Sequence, residues 1–218
     1  MDDAYILSHI DHTLLKAAAS WTEIEDLCNE AIKYKTAAVC IPPNYVKRVR
    51  AAYPDLNIDT VFGFPLGYDL IAVKAVAAQT AIAEGADELD MVINLTDVKN
   101  GEFDIIRTEL SILKQIIGSK ILKVIIETCY LTIEEKITMC KIVTDAGADY
   151  IKTSTGLGTA GATIEDVKIF RANVGPGVKI KAAGGIRKPQ EFTELFEMGV
   201  ERMGINTKSA IKIVEHFR

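Results

Sequence analysis

The chain has 218 residues, enough for one large domain or two small ones, and 49% are hydrophobic, so a sizeable core can be buried. A formal charge of −5 with scattered Lys and Arg argues against nucleic acid as the main partner, and no apolar run approaches membrane-spanning length. The acidic start M-D-D-A-Y-I-L is unlike a signal peptide, Cys28, Cys40, Cys129 and Cys140 read as free thiols of a reducing cytoplasm, and His9, His12 and His216 lack metal-ligand spacing, so no metal is expected.

In chain order, Ile10–Leu14 is a first strand, interrupted by Asp11 and His12. Ser20-Trp21-Thr22-Glu23 has the capping-box pattern, and Ile24, Leu27, Cys28 and Ala31 then recur at helical spacing. Ala37–Ile41 is a strand, and Pro42-Pro43 starts the next helix. Ile58–Phe62 is a strand ending in G-F-P-L-G; a helix over 71–84 and a strand Glu88–Ile93 follow. Ile106, Leu110, Leu113 and Ile117 line a helix before the β-branched strand Ile121–Ile126. Thr132-Ile133-Glu134-Glu135 caps a helix carrying Ile137, Cys140 and Val143. Then come the strand Tyr150–Lys152, a helix from Thr163, the strand Val178–Ala182, and a helix with Phe192, Leu195 and Phe196. Arg202–Ile205 is the last strand, and Ala210, Ile213, Val214 and Phe217 line the last helix.

Eight continuous apolar strands alternate with eight helices, without a linker, as parallel strands covered on both faces do. A doubly wound sheet gives the same alternation, but the count and length favour a single-domain (β/α)8 TIM barrel over residues 1–218, of α/β class. A weak repeat supports this: E-G-A-D-E-L-D at Glu84, A-G-A-D-Y-I-K at Ala146 and M-G-V-E-R-M-G at Met198. Five residues after each glycine lie Asp90, Lys152 and Gly204, which should occupy equivalent heights on strands four, six and eight.

The stretch D-Y-I-K-T-S-T-G-L-G-T-A-G-A-T, Asp149–Thr163, places a lysine at the end of a buried strand, followed by a hydroxyl- and glycine-rich loop. Such a lysine suits an amine nucleophile attacking a carbonyl compound. Lys179 and Lys181 point the same way from strand seven, with Lys181 nearer the rim. Adjacent strands lie about 5 Å apart, so Lys152 and Lys181 should be close enough for each ammonium to disfavour the other. Asp90 then offers a proton-transfer partner.

D-Y-I-K-T-S-T-G, V-K-I-K-A-A-G-G-I-R and E-L-D-M-V-I-N together resemble deoxyribose-phosphate aldolases, a class I aldolase family on a TIM barrel. I-D-H-T-L-L, A-V-C-I, F-G-F-P-L-G and K-V-I-I-E-T extend the resemblance over nearly the whole chain. It implies reversible cleavage of 2-deoxy-D-ribose 5-phosphate, a small-molecule sugar-phosphate substrate, to acetaldehyde and D-glyceraldehyde 3-phosphate, with no cofactor. It makes Lys152 the Schiff-base lysine, Lys181 the second lysine and Asp90 the proton relay, with Asp11 near the second lysine. Thr13, Leu15, Cys40, Phe64 and Thr155 match substrate-pocket positions; Gly156, Gly184 and Gly185 match phosphate-binding backbone. The family commonly forms dimers, so a homodimer is expected.

Two positions depart from the family pattern. Leu157 stands where Phe or Lys is often found, and Gly204-Ile205-Asn206-Thr207 lacks the usual serines after strand eight. Backbone donors of Gly204 and the helix beginning near Asn206, with the side chains of Asn206 and Thr207, are the expected remaining phosphate contacts, and Lys208 adds a cation nearby. The alternatives to a working aldolase are a catalytically silent sugar-phosphate-binding barrel, or an imine-forming barrel aldolase acting on a ketose phosphate.

Overall fold

The computed structural model describes residues 3–206 together with 209, 212, 213 and 215. Its parallel strands are β1 (Ile10–Thr13), β2 (Ala38–Ile41), β3 (Ile58–Phe62), β4 (Glu88–Val92), β5 (Ile121–Ile125), β6 (Tyr150–Lys152), β7 (Lys179–Ala183) and β8 (Arg202–Ile205). Each pairs with the next and β8 pairs back to β1, closing a (β/α)8 TIM barrel of one domain.

The helices are α1 (Asp3–Leu7), α2 (Trp21–Tyr34), α3 (Val46–Ala52), α4 (Ile71–Glu84), α5 (Leu95–Lys99), α6 (Phe103–Ile117), α7 (Ile133–Asp145), α8 (Ile164–Asn173) and α9 (Pro189–Glu197). Ser20 and Thr132 form the capping boxes their sequences announce, with Glu23 and Glu135 reaching back, and Thr163 caps α8. Pro42-Pro43 opens a 3-10 turn, Pro43–Tyr45, that runs into α3. α1 and α5, five residues each, were not expected, because neither is long enough to show a helical period. Of the expected last helix, Ala210, Val214 and Phe217 lie outside the described residues; Ile213 is buried.

Strand parity sorts the side chains into two sets. Val39, Ile41, Ile58, Leu89, Met91, Leu122, Val124, Ile151, Ile180 and Met203 join the helices in one apolar shell. The alternate positions, Asp11, Asp59, Glu88, Asp90, Lys123, Lys152, Lys181 and Arg202, are buried charged residues that pair with one another inside the barrel. Strand ends differ from the sequence expectation by one residue at several places. Ala37, Ile93 and Ile126 bond to neighbouring chain but stand beyond the ladders. Those limits are set by register with the next strand, which a single strand's sequence does not carry.

Candidate active site

Lys152 ends β6 and Lys181 stands opposite it on β7 as its register partner. Each donates a hydrogen bond from Nζ to the same atom, Asp90 Oδ2 on β4, both at 2.6 Å. Lys181 also donates to Asp59 Oδ2 at 2.9 Å and pairs with Asp11 Oδ2 at 2.6 Å. One layer deeper, Lys123 Nζ lies 2.6 Å from Glu88 Oε2 and 3.0 Å from both Asp59 Oδ1 and Asp90 Oδ1. Arg202 closes the set, binding Asp11 Oδ1 and, at 3.0 Å, Glu88 Oε2. Four cations and four carboxylates thus share a buried interior; Lys152 is the member that stands at the C-terminal end of its strand.

Burial opposes every one of these charges, and the partners decide the outcome. At Lys181, Asp11, Asp59 and Asp90 overcome burial and hold the ammonium well above its ordinary pKa. The expectation that two adjacent lysines discharge one another is therefore reversed for Lys181, because three carboxylates outweigh one neighbouring cation. Burial also works against the charged form of Asp11 and Asp90, yet the surrounding cations keep both carboxyls well below the ordinary range. Asp59 goes the other way. Burial, reinforced by Asp90 and only partly offset by Lys123 and Lys181, pushes it up to about 6.

Gly204 faces this cluster; a Cβ there would lie 3.8 Å from Lys181 Cε and from Thr13 Oγ1. Asp90 and Lys152 do meet, whereas the space at Gly204 opens toward Lys181, Ala183 and Thr13. Thr13 donates to the Asp11 carbonyl at 2.8 Å. Cys40 is fully buried, and burial together with Asp59 raises its thiol pKa well above the ordinary value, which suits a wall and not a nucleophile. Leu15 and Phe64 line a cavity of about 730 Å³ on the β1–β3 side of the rim, with Pro42, Phe62 and Asp69; the cluster lysines lie outside its lining.

Thr155 is fixed by Glu127, whose carboxylate accepts from the Thr155 backbone N–H at 3.2 Å and from its hydroxyl. Glu127 adopts a left-handed φ of 47°, a strained backbone for a non-glycine residue that the loop after β5 holds in place. Gly156, Gly184 and Gly185 all have positive φ, 84°, 81° and 79°. A Cβ on Gly184 would come within 3.0 Å of Gly161 Cα and 3.3 Å of Gly156 Cα, so the loops after β6 and β7 pack backbone against backbone. Ala162 N–H joins them by donating to the carbonyls of Ala183 and Gly184, both at 3.1 Å. Asn206 is exposed, and its Oδ1 accepts from Ser209 N–H at 3.1 Å. Thr207 and Lys208 lie outside the described residues.

The sequence model of a family described as "DeoC/LacD family aldolase" matches residues 5–206. The chain belongs to this aldolase family. A deoxyribose-phosphate aldolase of Clostridium botulinum (strain Eklund 17B / Type B) is 55% identical over 205 residues, 94% of this chain and 93% of that protein. One from Clostridioides difficile (strain 630) is 51% identical over 213 residues, 97% of this chain and 96% of the other. Among solved structures, a tetrameric deoxyribose phosphate aldolase from Aeropyrum pernix superposes with a TM-score of 0.88 at 30% identity, covering 99% of this chain and 92% of that one.

For this DeoC/LacD-family aldolase, sequence reading missed half of the interior cluster: Asp59, Glu88, Lys123 and Arg202. The signal was present: Asp59, Lys123 and Arg202 are each the lone charged residue of a strand, as in I-D-T-V-F and I-L-K-V-I, and Glu88 shares its inward parity with Asp90. Buried charges survive only when paired, so four such strands imply partners across the barrel. Cys40, Asp59 and Asp90, and likewise Asp11, Asp59 and Glu88, bring ligand atoms within 4.8 Å of one another, as a metal site would. The cations among these carboxylates are instead the lysine ammonium groups of Lys123 and Lys181.

Proposed function

We propose that the protein cleaves 2-deoxy-D-ribose 5-phosphate reversibly to acetaldehyde and D-glyceraldehyde 3-phosphate through an imine on Lys152. The observation that carries this reading is the Asp90 oxygen shared by Lys152 and Lys181 at 2.6 Å each. An amine nucleophile needs a base to take its proton and a group to return it. Asp90 is placed for the first role. Lys181, held charged by its carboxylates, competes with Lys152 for that oxygen and supplies the positive field.

In this reading Lys152 attacks C1 of the open-chain sugar and expels water. Asp90, in the field of charged Lys181, then draws the proton from the C3 hydroxyl, the C2–C3 bond breaks toward the iminium, and the triose phosphate leaves. The enamine takes a proton at C2, and hydrolysis frees acetaldehyde and Lys152. Thr155, fixed by Glu127, and Thr13, beside Gly204, present hydroxyls to the sugar. The phosphate lies against the positive-φ backbone of Gly156, Gly184 and Gly185, with Gly204 and Asn206 on the other side. Leu15, Phe64 and Cys40 shape the apolar side.

The four cysteines are free thiols, which fits a cytoplasmic enzyme; no helix among the described residues is long and apolar enough to cross a membrane. A homodimer is part of the reading: Leu66, Tyr68, Leu70, Val73 and Val76 leave apolar side chains exposed around the start of α4 for a second copy to cover. Sedimentation equilibrium tests that. The activity itself is tested by incubation with 2-deoxyribose 5-phosphate and assay of both products. Acetaldehyde and triose phosphate should appear in equal amounts, and turnover without triose phosphate would overturn the assignment.

A further inference from the structure

We propose that Asp59 is the proton counterweight of the site: it takes the proton that Lys152 gives up to become a nucleophile, and returns it when the imine forms. Asp59 is a positioning residue here and does not touch substrate. The proposal rests on the Lys152 imine proposed above, and it concerns where that lysine's proton goes.

The first argument is a path. Lys152 Nζ donates to Asp90 Oδ2 at 2.6 Å, Lys181 Nζ donates to that same oxygen at 2.6 Å, and Lys181 Nζ donates to Asp59 Oδ2 at 2.9 Å. Three hydrogen bonds join the two ends without a gap. A proton leaves Lys152 for Asp90 while Lys181 gives one to Asp59 and is refilled from Asp90. The amine, Asp90 and Lys181 are then ready, and the proton rests on Asp59.

The second argument is charge. With every group ionised, Asp11, Asp59, Glu88 and Asp90 balance Lys123, Lys152, Lys181 and Arg202 inside a barrel that excludes water. A neutral Lys152 with an ionised Asp59 would leave a net buried negative charge, which a low-dielectric interior resists. A neutral Lys152 with a protonated Asp59 leaves three against three. When the amine attacks an aldehyde, an N–C bond forms and an amine proton moves to the carbonyl oxygen. The hydroxyl then leaves as water with the proton returned from Asp59, and the nitrogen lone pair completes the C=N bond. Ammonium plus aldehyde has become iminium plus water, the iminium replaces the lost ammonium charge, and the cluster is neutral at each stage.

The third argument is the surroundings of Asp59. Lys123 and Lys181 face it from β5 and β7, Asp90 and Glu88 from β4, Asp11 from β1 and Cys40 from β2. Burial, with Asp90 and Asp11 beside it, pushes the Asp59 pKa up to about 6, which makes it a readier proton acceptor than Asp90 or Asp11. Asp90 and Asp11 are held well below that range.

The test is the rate of imine formation with acetaldehyde, trapped by borohydride, as a function of pH for the natural protein and for Asp59→Asn. Because Lys152 and Asp59 share one proton, the fraction of neutral amine does not change with pH once Asp59 has titrated. The natural protein should rise about tenfold per pH unit below pH 6 and level off above it. Asp59→Asn cannot store the proton, so its rate should match at low pH and keep climbing about tenfold per unit past the natural break. Should this substitution prevent folding, the natural profile alone decides: a rate still climbing through pH 9 means that Lys152 discharges to solvent, and the proposal fails. Two parallel profiles offset by one factor would mark Asp59 as merely structural and also overturn it. Absence of trapping at every pH would instead refute the Lys152 imine itself.

Discussion

Lys152 and Lys181 are register partners on adjacent strands, and their ammonium groups converge on one oxygen of Asp90. That single atom couples a lysine near the rim to one sealed beneath it. Lys181 has three carboxylates and no exposure, so its charge is permanent at working pH. In the proposed reaction the outer lysine is the nucleophile, and the inner one fixes the field in which it acts.

Lys181→Leu removes one cation from a balanced buried set and leaves Asp11, Asp59 and Asp90 short of a partner. Breaking a buried pair in this way costs about 3–5 kcal/mol, so the variant should lose most of its activity and unfold at a visibly lower temperature. Lys179→Leu should do far less. Lys179 has the same parity but is exposed at the start of β7, with its ammonium 5.6 Å from the Tyr150 ring. Measured kcat/KM and Tm for both variants check this; equal damage would contradict the register.

Gly184→Ala should damage use of the phosphate ester. The residue sits at φ 81°, where an L side chain is strained, and the new methyl would press on Gly161 Cα at 3.0 Å. The strain is on the order of 1–3 kcal/mol, and relieving it parts the loops after β6 and β7. KM for 2-deoxyribose 5-phosphate should rise while the preference over unphosphorylated 2-deoxyribose shrinks. An unchanged preference would move the phosphate site elsewhere.

Stability should be nearly level from pH 7 to 5 and fall steeply below pH 4. Burial, only partly countered by Glu30, lowers the His12 pKa below 6.5, so the unfolded chain takes up a proton first and stability drifts down as pH falls through that region. Asp59 does the opposite: its native pKa of about 6 lies above the ordinary 3.8, so the folded state binds the proton first and gains as pH falls between those values. These two contributions oppose one another. Asp11 and Asp90 have native values below 3.8, so the stability they contribute is present above that pH and lost as it falls. Thermal unfolding from pH 7 to 3 checks the shape; a steep loss already between pH 7 and 5 would contradict it.

The barrel was legible in the sequence because its strands are short apolar runs set between capped helices. Ser20, Thr132 and Thr163 announce helix starts through local chemistry alone, and all three cap as expected. Lys152, Lys181 and Asp90 were legible because they stand beside motif loops or at repeat positions. The second, deeper half of the cluster was not, since Lys123 and Arg202 acquire meaning only when closure of the barrel brings β1, β3, β4, β5 and β8 around one axis. The charge of Lys181 was hidden for the same reason: Lys152 is its neighbour in the motif pattern, whereas Asp11 and Asp59 lie 170 and 122 positions away along the chain. The two short helices α1 and α5 carry too few residues for a period to show.

The most direct test of the account is to mix the protein with acetaldehyde and borohydride, weigh it, and map the modified peptide. One two-carbon adduct per chain on Lys152 is the predicted result, absent in Lys152→Ala while that variant keeps its fold. Full trapping on Lys181 or Lys179 in the folded Lys152→Ala protein would contradict the assignment of the nucleophile.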